Sequence, residues 1–247
     1  MLAAEAGNFY DEYPFDWTER YRPAELATVI SPVLIRLLDR LAPNAFVLDV
    51  GCGPGRVMTY LAYRQIRALG VDRSFASVVL MQQRCQLPGI VADNLALPLA
   101  GGTADLVISD GVLHHTEDPA LAFAELCRML RPGGLLFLAV YRPGGHYEWL
   151  YHFPGSVFRR AVRHRLTRAL VHATALPLYY LVHVLRSPRK RSWRGARNLF
   201  YDYFVTPRVH FLRRDTIEQW CRRCGVRLVE FHPRPIGNVQ AFVIEKQ

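Results

Sequence analysis

The feature of the chain that most constrains its fold is a glycine-rich turn between an apolar run and a helical pattern. The apolar run covers residues 46–50, the turn is Gly51-Cys-Gly-Pro-Gly55, and the helical pattern covers residues 57–63. Glycine lets the backbone turn sharply and approach a ligand closely, and a helix start offers unpaired N–H groups and partial positive charge to an anion. The plain alternative is a strand-to-helix turn that holds no ligand.

Short apolar runs alternate with helical patterns through the middle of the chain. Asp118 and Pro119 mark the start of one such helix, as a cap and a first-turn proline. Each gap between the runs has room for a helix, and this alternation predicts right-handed crossovers and a parallel sheet covered on both faces. The predicted strands cover residues 46–50, 66–71, 90–92, 104–108 and 135–140.

The end of the chain predicts one more helix and two more strands. The helix covers residues 215–224 and stops at Gly225, and strands at 226–231 and 239–244 follow with only a turn between them. Two strands separated by so short a turn are typical of an antiparallel pair at a sheet edge. We therefore expect an α/β chain with a Rossmann-like, doubly wound, mostly parallel sheet of seven strands. Its last strand is antiparallel, and a helical cap is inserted after the fifth strand.

Acidic residues lie at or near the ends of the first three predicted strands, in positions that suit a nucleoside. The glycines have G-x-G-x-G spacing rather than the dinucleotide pattern, and Asp49 before them offers a carboxylate suited to an amino group. Asp72 ends the second strand, where an acid accepts hydrogen bonds from ribose hydroxyls or, alternatively, caps the next helix. Asp93 ends the third strand, where a carboxylate and apolar neighbours suit an adenine ring.

Five motifs follow one another along residues 44–141. They are Asp49-Val-Gly-Cys-Gly-Pro-Gly55, Gly70-Val-Asp72, Ala92-Asp-Asn94, Asp105-Leu-Val-Ile-Ser-Asp-Gly-Val-Leu-His-His115 and Leu130-Arg-Pro-Gly-Gly134. In this order they resemble the motifs of class I S-adenosylmethionine-dependent methyltransferases, and among them the type 11 small-molecule branch. The resemblance implies that the glycine turn holds the methionine portion of S-adenosyl-L-methionine, and that S-adenosyl-L-homocysteine is the product. The predicted cofactor-binding residues are Asp49, Gly51, Cys52, Gly53, Gly55, Asp72, Arg73, Asp93, Asn94, Leu95, Ser109, Asp110, Tyr10 and Tyr13.

Two adjacent histidines are the candidate acid–base residues. A sulfonium methyl group is already activated, so alignment and exclusion of water can supply much of the acceleration, and no metal is required. His114 and His115 fall at the carboxyl end of the fourth strand, and imidazole titrates near neutral pH. Either one is predicted to be a general base. The alternative is that they only fix the loop by hydrogen bonds.

The first 23 residues are rich in aromatic side chains. This segment is predicted to form a lid that places Tyr10 or Tyr13 near the sulfonium through a cation–π contact. The alternative is that the segment simply packs against the domain.

The charge of the chain is concentrated in one segment. The formal net charge is +10, and eleven arginines and lysines lie between Trp149 and Tyr201 without one acidic residue. Such a segment can form a cap around an apolar acceptor, lie on an anionic membrane surface, or follow a phosphate backbone. The residues predicted to contact the acceptor in the cap are His146, Tyr151, Tyr179, Tyr201 and Tyr203.

We expect methyl transfer to a small, fairly apolar acceptor, aromatic or lipid-like. Nucleic acid is not the expected partner, because enzymes that methylate base amines usually carry Asn-Pro-Pro-Tyr or Asp-Pro-Pro-Tyr where this chain has Ser109-Asp-Gly-Val112. Ribose methylation stays open, so the alternatives are an RNA methyltransferase that uses the basic segment and a noncatalytic protein that binds the cofactor.

Composition sets the remaining expectations for this chain of 247 residues. Its five cysteines are scattered, which favours free thiols, and Cys221 and Cys224 lie in a predicted helix without a second pair for zinc. The first residues lack the pattern of a secretory signal, so a cytoplasmic location is expected, with peripheral membrane contact as a variant. The predicted organisation is a lid at 1–23, a cofactor core at 24–141, a basic cap at 142–210 and a closing segment at 211–247.

Overall fold

The computed structural model describes residues 9–16, 18–186, 192–235 and 238–247, and it divides into two compact units. The sheet unit comprises Pro23–Pro143 and Arg208–Gln247. The helical unit comprises the residues up to Arg22 and Gly144–Pro207. Arg189, Lys190 and Arg191 of the basic segment lie outside the described residues.

The sheet unit contains a seven-stranded sheet of order β3-β2-β1-β4-β5-β7-β6. The first five strands are parallel, and β7 runs antiparallel between β5 and β6. This confirms the predicted fold class. The strands are β1 (Phe46–Val50), β2 (Arg67–Asp72), β3 (Gly89–Val91), β4 (Ala104–Asp110), β5 (Leu130–Tyr141), β6 (Val226–His232) and β7 (Val239–Lys246).

Helices cover the sheet and supply its hydrophobic core. On one face Phe123 and Ile217 from two helices pack with Leu136 and Phe242 of the central strands, and all four side chains are buried. Burial of such side chains is the main favourable contribution to folding. The helices of this unit are α1 (Pro32–Asp39), α2 (Arg56–Tyr63), α3 (Phe75–Cys85), α4 (Pro119–Met129) and α10 (Arg214–Cys224), with short 3₁₀ turns at Pro23–Thr28 and Leu113–His115.

Local sequence signals set the helix ends. The Asp118 carboxylate accepts the N–H groups of Ala120 and Leu121 at 3.0 Å, which caps α4 as predicted. Gly225 ends α10 in the left-handed region, with a φ of 64°.

The structure differs from the predicted elements in two places. The fifth strand begins at Leu130 rather than at residue 135, because Leu130 pairs with Ala104 before the ladder shifts and resumes at the pair of Leu106 and Leu135. Residues 92–103 form turns instead of a helix, beginning with the Leu95 N–H, which donates to the Asp93 carboxylate at 3.0 Å. An aspartate whose side chain takes a backbone N–H favours a turn over a helix.

The helical unit joins the start of the chain to the segment after β5. Tyr13 stacks on Tyr201 with ring centroids 3.8 Å apart, in a cluster that also buries Val171, Leu176 and Phe200. Among the described residues, no helix has both the length and the apolar composition needed to span a bilayer. The helices are α5 (His146–His152), α6 (Pro154–Ala161), α7 (Arg165–Ala173), α8 (Ala175–Arg186) and α9 (Trp193–Phe200), followed by a π-helical turn at Tyr201–Val205.

Candidate active site

The glycine turn after β1 requires glycine for two physical reasons. Gly51 and Gly55 have φ values of 83° and 87°, in the left-handed region that side chains disfavour. A Cβ atom on Gly51 would also lie 2.3 Å from a Val112 methyl group, and one on Gly55 would lie 2.7 Å from the Met81 side chain. The turn therefore brings its backbone close to both neighbours, as the sequence predicts.

Asp72 at the end of β2 holds the glycine turn. One carboxylate oxygen accepts the Gly53 N–H at 2.8 Å, and the other accepts the Ser74 N–H at the same distance. The N–H groups of Gly51 and Cys52 donate to the Val71 carbonyl at 2.7 and 2.9 Å. These bonds tie β2 to the turn, so Asp72 has a structural role here, and its predicted contact with ribose stays a prediction.

Asp49 is a buried carboxyl group directly before the glycine turn. Its Oδ2 atom has no hydrogen-bond partner among the described residues. Burial raises its pKa to about 8, and the charges of Asp110 and Asp72 add to the rise while Arg56 opposes it. A cation bound beside Asp49 would stabilise its ionised carboxylate and lower this raised pKa.

Arg56 is a functional candidate that the sequence interpretation missed. Its guanidinium lies 2.6 Å from the Asp110 carboxylate, and both side chains are largely buried. Arg56 is the first residue of α2, where the helix dipole disfavours a positive charge. This unfavourable position could have identified Arg56 from the sequence, because an arginine directly after a glycine turn needs an acidic neighbour or an anionic ligand.

The residues around the turn fit the predicted cofactor. S-adenosylmethionine carries an ammonium, a carboxylate and a sulfonium, and the turn places acids and Arg56 beside open backbone N–H groups of a helix start. Ser109 adds a second buried side-chain oxygen without a hydrogen-bond partner among the described residues. Ser109 and Asp110 lie in β4, next to β1, so the sheet brings them to the same edge as Asp49.

The end of β3 carries the residues predicted to contact adenine. Arg73 lies 3.8 Å from the Asp93 carboxylate, and Asn94 is buried. Asp72 and Val91 are paired in the β2–β3 ladder, so Asp93 follows β3 at the same edge of the sheet as the end of β2. The contact of Asp93, Asn94 and Leu95 with an adenine stays a prediction.

His114 is buried in the sheet unit. Its Nδ1 accepts the Tyr141 N–H at 3.4 Å, its ring centroid lies 4.0 Å from that of Tyr141, and its carbonyl accepts the His210 N–H at 2.8 Å. Burial lowers its pKa well below the usual range, and the neighbouring histidines lower it further. These contacts favour a structural role for His114.

His115 is partly exposed and has a defined tautomer. Its Nδ1 lies 2.8 Å from the Arg208 carbonyl oxygen. Since a carbonyl only accepts, Nδ1 carries the proton and the neutral ring has its lone pair on Nε2. Burial lowers its pKa to about 4, the Arg208 carbonyl opposes that change, and His210 adds to it. The His115 ring is therefore uncharged at pH 7, and its role as a general base stays a prediction.

His210 completes a histidine cluster with His114 and His115, and sequence interpretation missed it. It follows the basic segment, about a hundred residues after the other two, so no local pattern connects them. Only the chain's return to the sheet unit at Arg208 places it there.

The remaining predicted site residues belong to the helical unit. Tyr10 lies within 3.1 Å of the Thr206 hydroxyl, and the Tyr13 hydroxyl donates to Glu12 at 2.7 Å. His146 is exposed at the start of α5. The Tyr201 hydroxyl lies 2.6 Å from His172 Nε2, and the ring contacts are those of Tyr203 with Tyr147, Tyr179 with Phe200, and Tyr151 with the Arg159 guanidinium. Their roles toward cofactor or acceptor stay predictions.

Comparison with known proteins finds a matching family model and several similar curated proteins. A family model described as a methyltransferase domain matches residues 48–138. The chain is 35% identical over 121 residues to tRNA (carboxymethyluridine(34)-5-O)-methyltransferase ALKBH8 of Mus musculus, covering 47% of this chain and 18% of that protein. It is 25% identical over 176 residues to ubiquinone biosynthesis O-methyltransferase of Rhizobium etli, covering 64% and 71%.

Solved structures share the fold. Magnesium protoporphyrin IX methyltransferase from Synechocystis, determined with bound S-adenosylhomocysteine, superposes with a TM-score of 0.57 at 16% identity over 91% of this chain and 83% of its own. The chain spans about a fifth to a half of the length of the first curated relatives that it matches.

Proposed function

We propose that the chain transfers a methyl group from S-adenosylmethionine to a small, fairly apolar acceptor. The match of a methyltransferase-domain family model to residues 48–138 supports the reaction class. When bound, S-adenosylmethionine supplies an activated methyl group on its sulfonium. The chain's own residues bind and orient the reactants, exclude water and accept a proton.

The observation that carries this proposal is the buried Asp49 carboxyl group beside the glycine turn. Asp49 Oδ2 has no hydrogen-bond partner among the described residues, and Asp72 and Asp110 surround it with negative charge. The ammonium group of S-adenosylmethionine would pair with the Asp49 carboxylate. Arg56, which lies 2.6 Å from Asp110, is the residue proposed to bind the carboxylate of the same amino acid portion.

His115 is the residue proposed to take the proton of the acceptor. The Arg208 carbonyl holds its Nδ1–H, which directs the basic Nε2 atom of the ring away from that contact. Its lowered pKa keeps the ring neutral at pH 7 but also makes it a weaker base than an ordinary imidazole, so the proposed role depends on the position of Nε2. Transfer of the methyl group in line with the acceptor oxygen or nitrogen then needs only correct alignment.

RNA is the second candidate acceptor, because one relative acts on tRNA by its name and the basic segment can bind phosphates. Small molecules are favoured by the relative named for ubiquinone biosynthesis, of which the chain covers 71%.

The experiment that separates these candidates is transfer of radiolabelled methyl from S-adenosylmethionine into host-cell extract. The extract is separated afterwards into aqueous metabolites, organic-phase lipids, RNA and protein. We expect label in the organic phase or among small metabolites. Label in RNA would favour RNA as the acceptor over a small molecule. Cofactor binding without label in any fraction would indicate a noncatalytic binding protein.

A further inference from the structure

Two helices of the helical unit each expose a row of apolar side chains. Leu166 and Leu170 of α7 are both exposed, Leu166 by 87%. The same holds in α8 for Leu178, Leu181 and Leu185, the last exposed by 73%. Their spacing of three, four and seven residues places each set on one face of its helix. We call these five side chains the leucine face.

The opposite side of the same two helices is the buried one. Val171 of α7 and Leu176 of α8 enter the cluster formed around Tyr13 and Tyr201. The two helices also pack on each other. The inward sides of α7 and α8 thus supply the core of the unit, and the leucine face is additional apolar surface that this core does not use.

A further exposed apolar stripe precedes the leucine face in the sequence. Trp149, Phe153 and Val157 follow each other at intervals of four residues across α5 and α6, and Val157 is 64% exposed. The Trp149 and Phe153 rings are 5.8 Å apart. Proteins that work alone in water rarely expose large contiguous apolar patches, and those that do usually bind a partner or a membrane with them.

Charge decides what kind of partner fits. The residues from Trp149 to Tyr201 contain eleven arginines and lysines and no acid, and Arg163 and Arg165 are exposed at the start of α7. A second copy of this chain would bring the same positive charge against itself, which repels. A phosphate backbone alone leaves the leucines in water. An anionic bilayer accepts both the apolar and the basic side chains.

We propose that the leucine face, together with the Trp149 stripe and the neighbouring arginines, binds the surface of an anionic lipid bilayer. The helices lie in the plane of the interface, with leucines among the acyl chains and arginines at the headgroups. The inference does not depend on the proposed methyl transfer, because lipid binding is measured without cofactor or acceptor.

The test is co-sedimentation of the full chain with vesicles of phosphatidylcholine alone, or of phosphatidylcholine with about 30% phosphatidylserine. We expect at least about tenfold tighter binding to the anionic vesicles, weakening as NaCl rises from about 0.1 to 0.5 M. Equal, salt-independent binding to both vesicles, or binding to neither, would overturn the proposal.

A paired variant locates the surface. Leu166→Asp with Leu170→Asp should weaken binding to the anionic vesicles at least about tenfold, because it removes apolar area and adds negative charge. Leu121→Asp on α4 of the sheet unit is the matched control, since Leu121 is 47% exposed. Vesicle binding that is equal in the paired variant and the control would contradict the assignment. So would a wild-type dimer that the paired variant alone loses, which would assign the face to a second copy.

Tryptophan fluorescence with the conservative variant Trp149→Phe tests the same surface if the paired variant does not fold. The tryptophan emission of the wild type should shift to shorter wavelength on anionic vesicles, and Trp149→Phe should remove most of that shift, since Trp149 leaves water when the stripe inserts. An unchanged wild-type emission maximum in the presence of vesicles would be evidence against insertion.

Discussion

At the scale of single residues, the candidate site depends on one acid and one base whose pKa values are shifted in opposite directions. Both shifts favour the uncharged form of the group. Burial raises the pKa of Asp49 to about 8, which favours the uncharged acid. Burial lowers the pKa of His115 to about 4, which favours the uncharged base. Each group is thus neutral in the ligand-free protein near pH 7, although for one this means keeping a proton and for the other losing it.

Asp49 should make cofactor binding depend on pH. A cation bound beside it stabilises the carboxylate, so binding releases a proton when the pH is below about 8. As the pH rises from 6 to 8, we expect the dissociation constant for S-adenosylmethionine to fall by up to about tenfold for each pH unit. Calorimetry in buffers of different ionisation enthalpy measures the released proton directly.

The control for that experiment is Asp49→Asn. It should weaken cofactor binding by about 2–5 kcal/mol and remove the pH dependence. The raised pKa also means that the folded state binds the Asp49 proton more tightly than the unfolded state, so native stability falls as pH rises toward about 8. Asp49→Asn should therefore raise the thermal midpoint at pH 8, and a cofactor affinity that ignores both pH and this substitution would argue against the site.

His115 should control turnover through its basic nitrogen. His115→Asn keeps a donor for the Arg208 carbonyl but has no basic atom, so we expect kcat to fall at least about 100-fold with little change in cofactor affinity. His232→Asn, at the end of β6, is the matched control and should retain turnover.

The pH profile at saturating cofactor gives an independent check on His115. With Asp49 already paired, kcat/KM for the acceptor should stay flat from pH 8 downward and decline only as the pH approaches about 4. A decline centred near the ordinary histidine pKa of about 6.5 would assign the base to another group.

At the scale of elements, the glycine turn and the strand ends convert a local sequence motif into a binding edge. The turn is held by β2 through Asp72 and approached by Val112 from the loop after β4. Its geometry is therefore shared between three strands, and we expect a change in one of these contacts to displace the backbone of the turn.

Gly51→Ala should separate packing from backbone strain. A methyl group there would lie 2.3 Å from a Val112 methyl group in addition to the cost of a φ of 83°. Gly102→Ala is the control, because Gly102 has a φ of 74° and open space around its Cβ position. We expect Gly102→Ala to cost about 1–2 kcal/mol of stability with cofactor affinity intact. Gly51→Ala should cost more and weaken cofactor binding, and equal effects of the two would show that the close approach is unimportant.

At the scale of the whole molecule, the chain builds a sheet unit and a helical unit, each from two separate stretches of sequence. The start of the chain contributes to the helical unit through Tyr13, which stacks on Tyr201, and through the Pro14 carbonyl, which accepts the Asn198 amide at 2.8 Å. These contacts explain why an aromatic N-terminal segment is useful even without a role as a lid.

Tyr13→Ala tests that structural role. Removing a buried ring from the cluster should destabilise the helical unit by about 3 kcal/mol, seen by calorimetry as a lower thermal midpoint. Tyr63→Ala is a suitable control, because Tyr63 is an exposed ring of the sheet unit. If Tyr13→Ala instead weakens only cofactor binding and leaves the thermal midpoint unchanged, the lid prediction is favoured over the packing role.

The fold of the sheet unit could be predicted from the amino-acid sequence, because the relevant information there is local. The spacing of glycines, the acids at strand ends, the Asp118 cap and the alternation of apolar runs each act over a few residues, and backbone geometry restricts such patterns to few topologies. The start of β5 and the turns at 92–103 escaped this reasoning, because a shifted strand register and a carboxylate–N–H bond decided them.

Tertiary structure alone decided which charged and titratable groups meet. The Arg56–Asp110 pair, the approach of His210 to His114, and the stacking of Tyr13 on Tyr201 join residues 54, 96 and 188 positions apart. Neither the partner of a side chain nor its loss of water is encoded in its neighbours along the chain, and both depend on which strands and helices the fold brings together. The pKa values of Asp49 and His115, and hence the chemistry proposed for them, follow from that assembly.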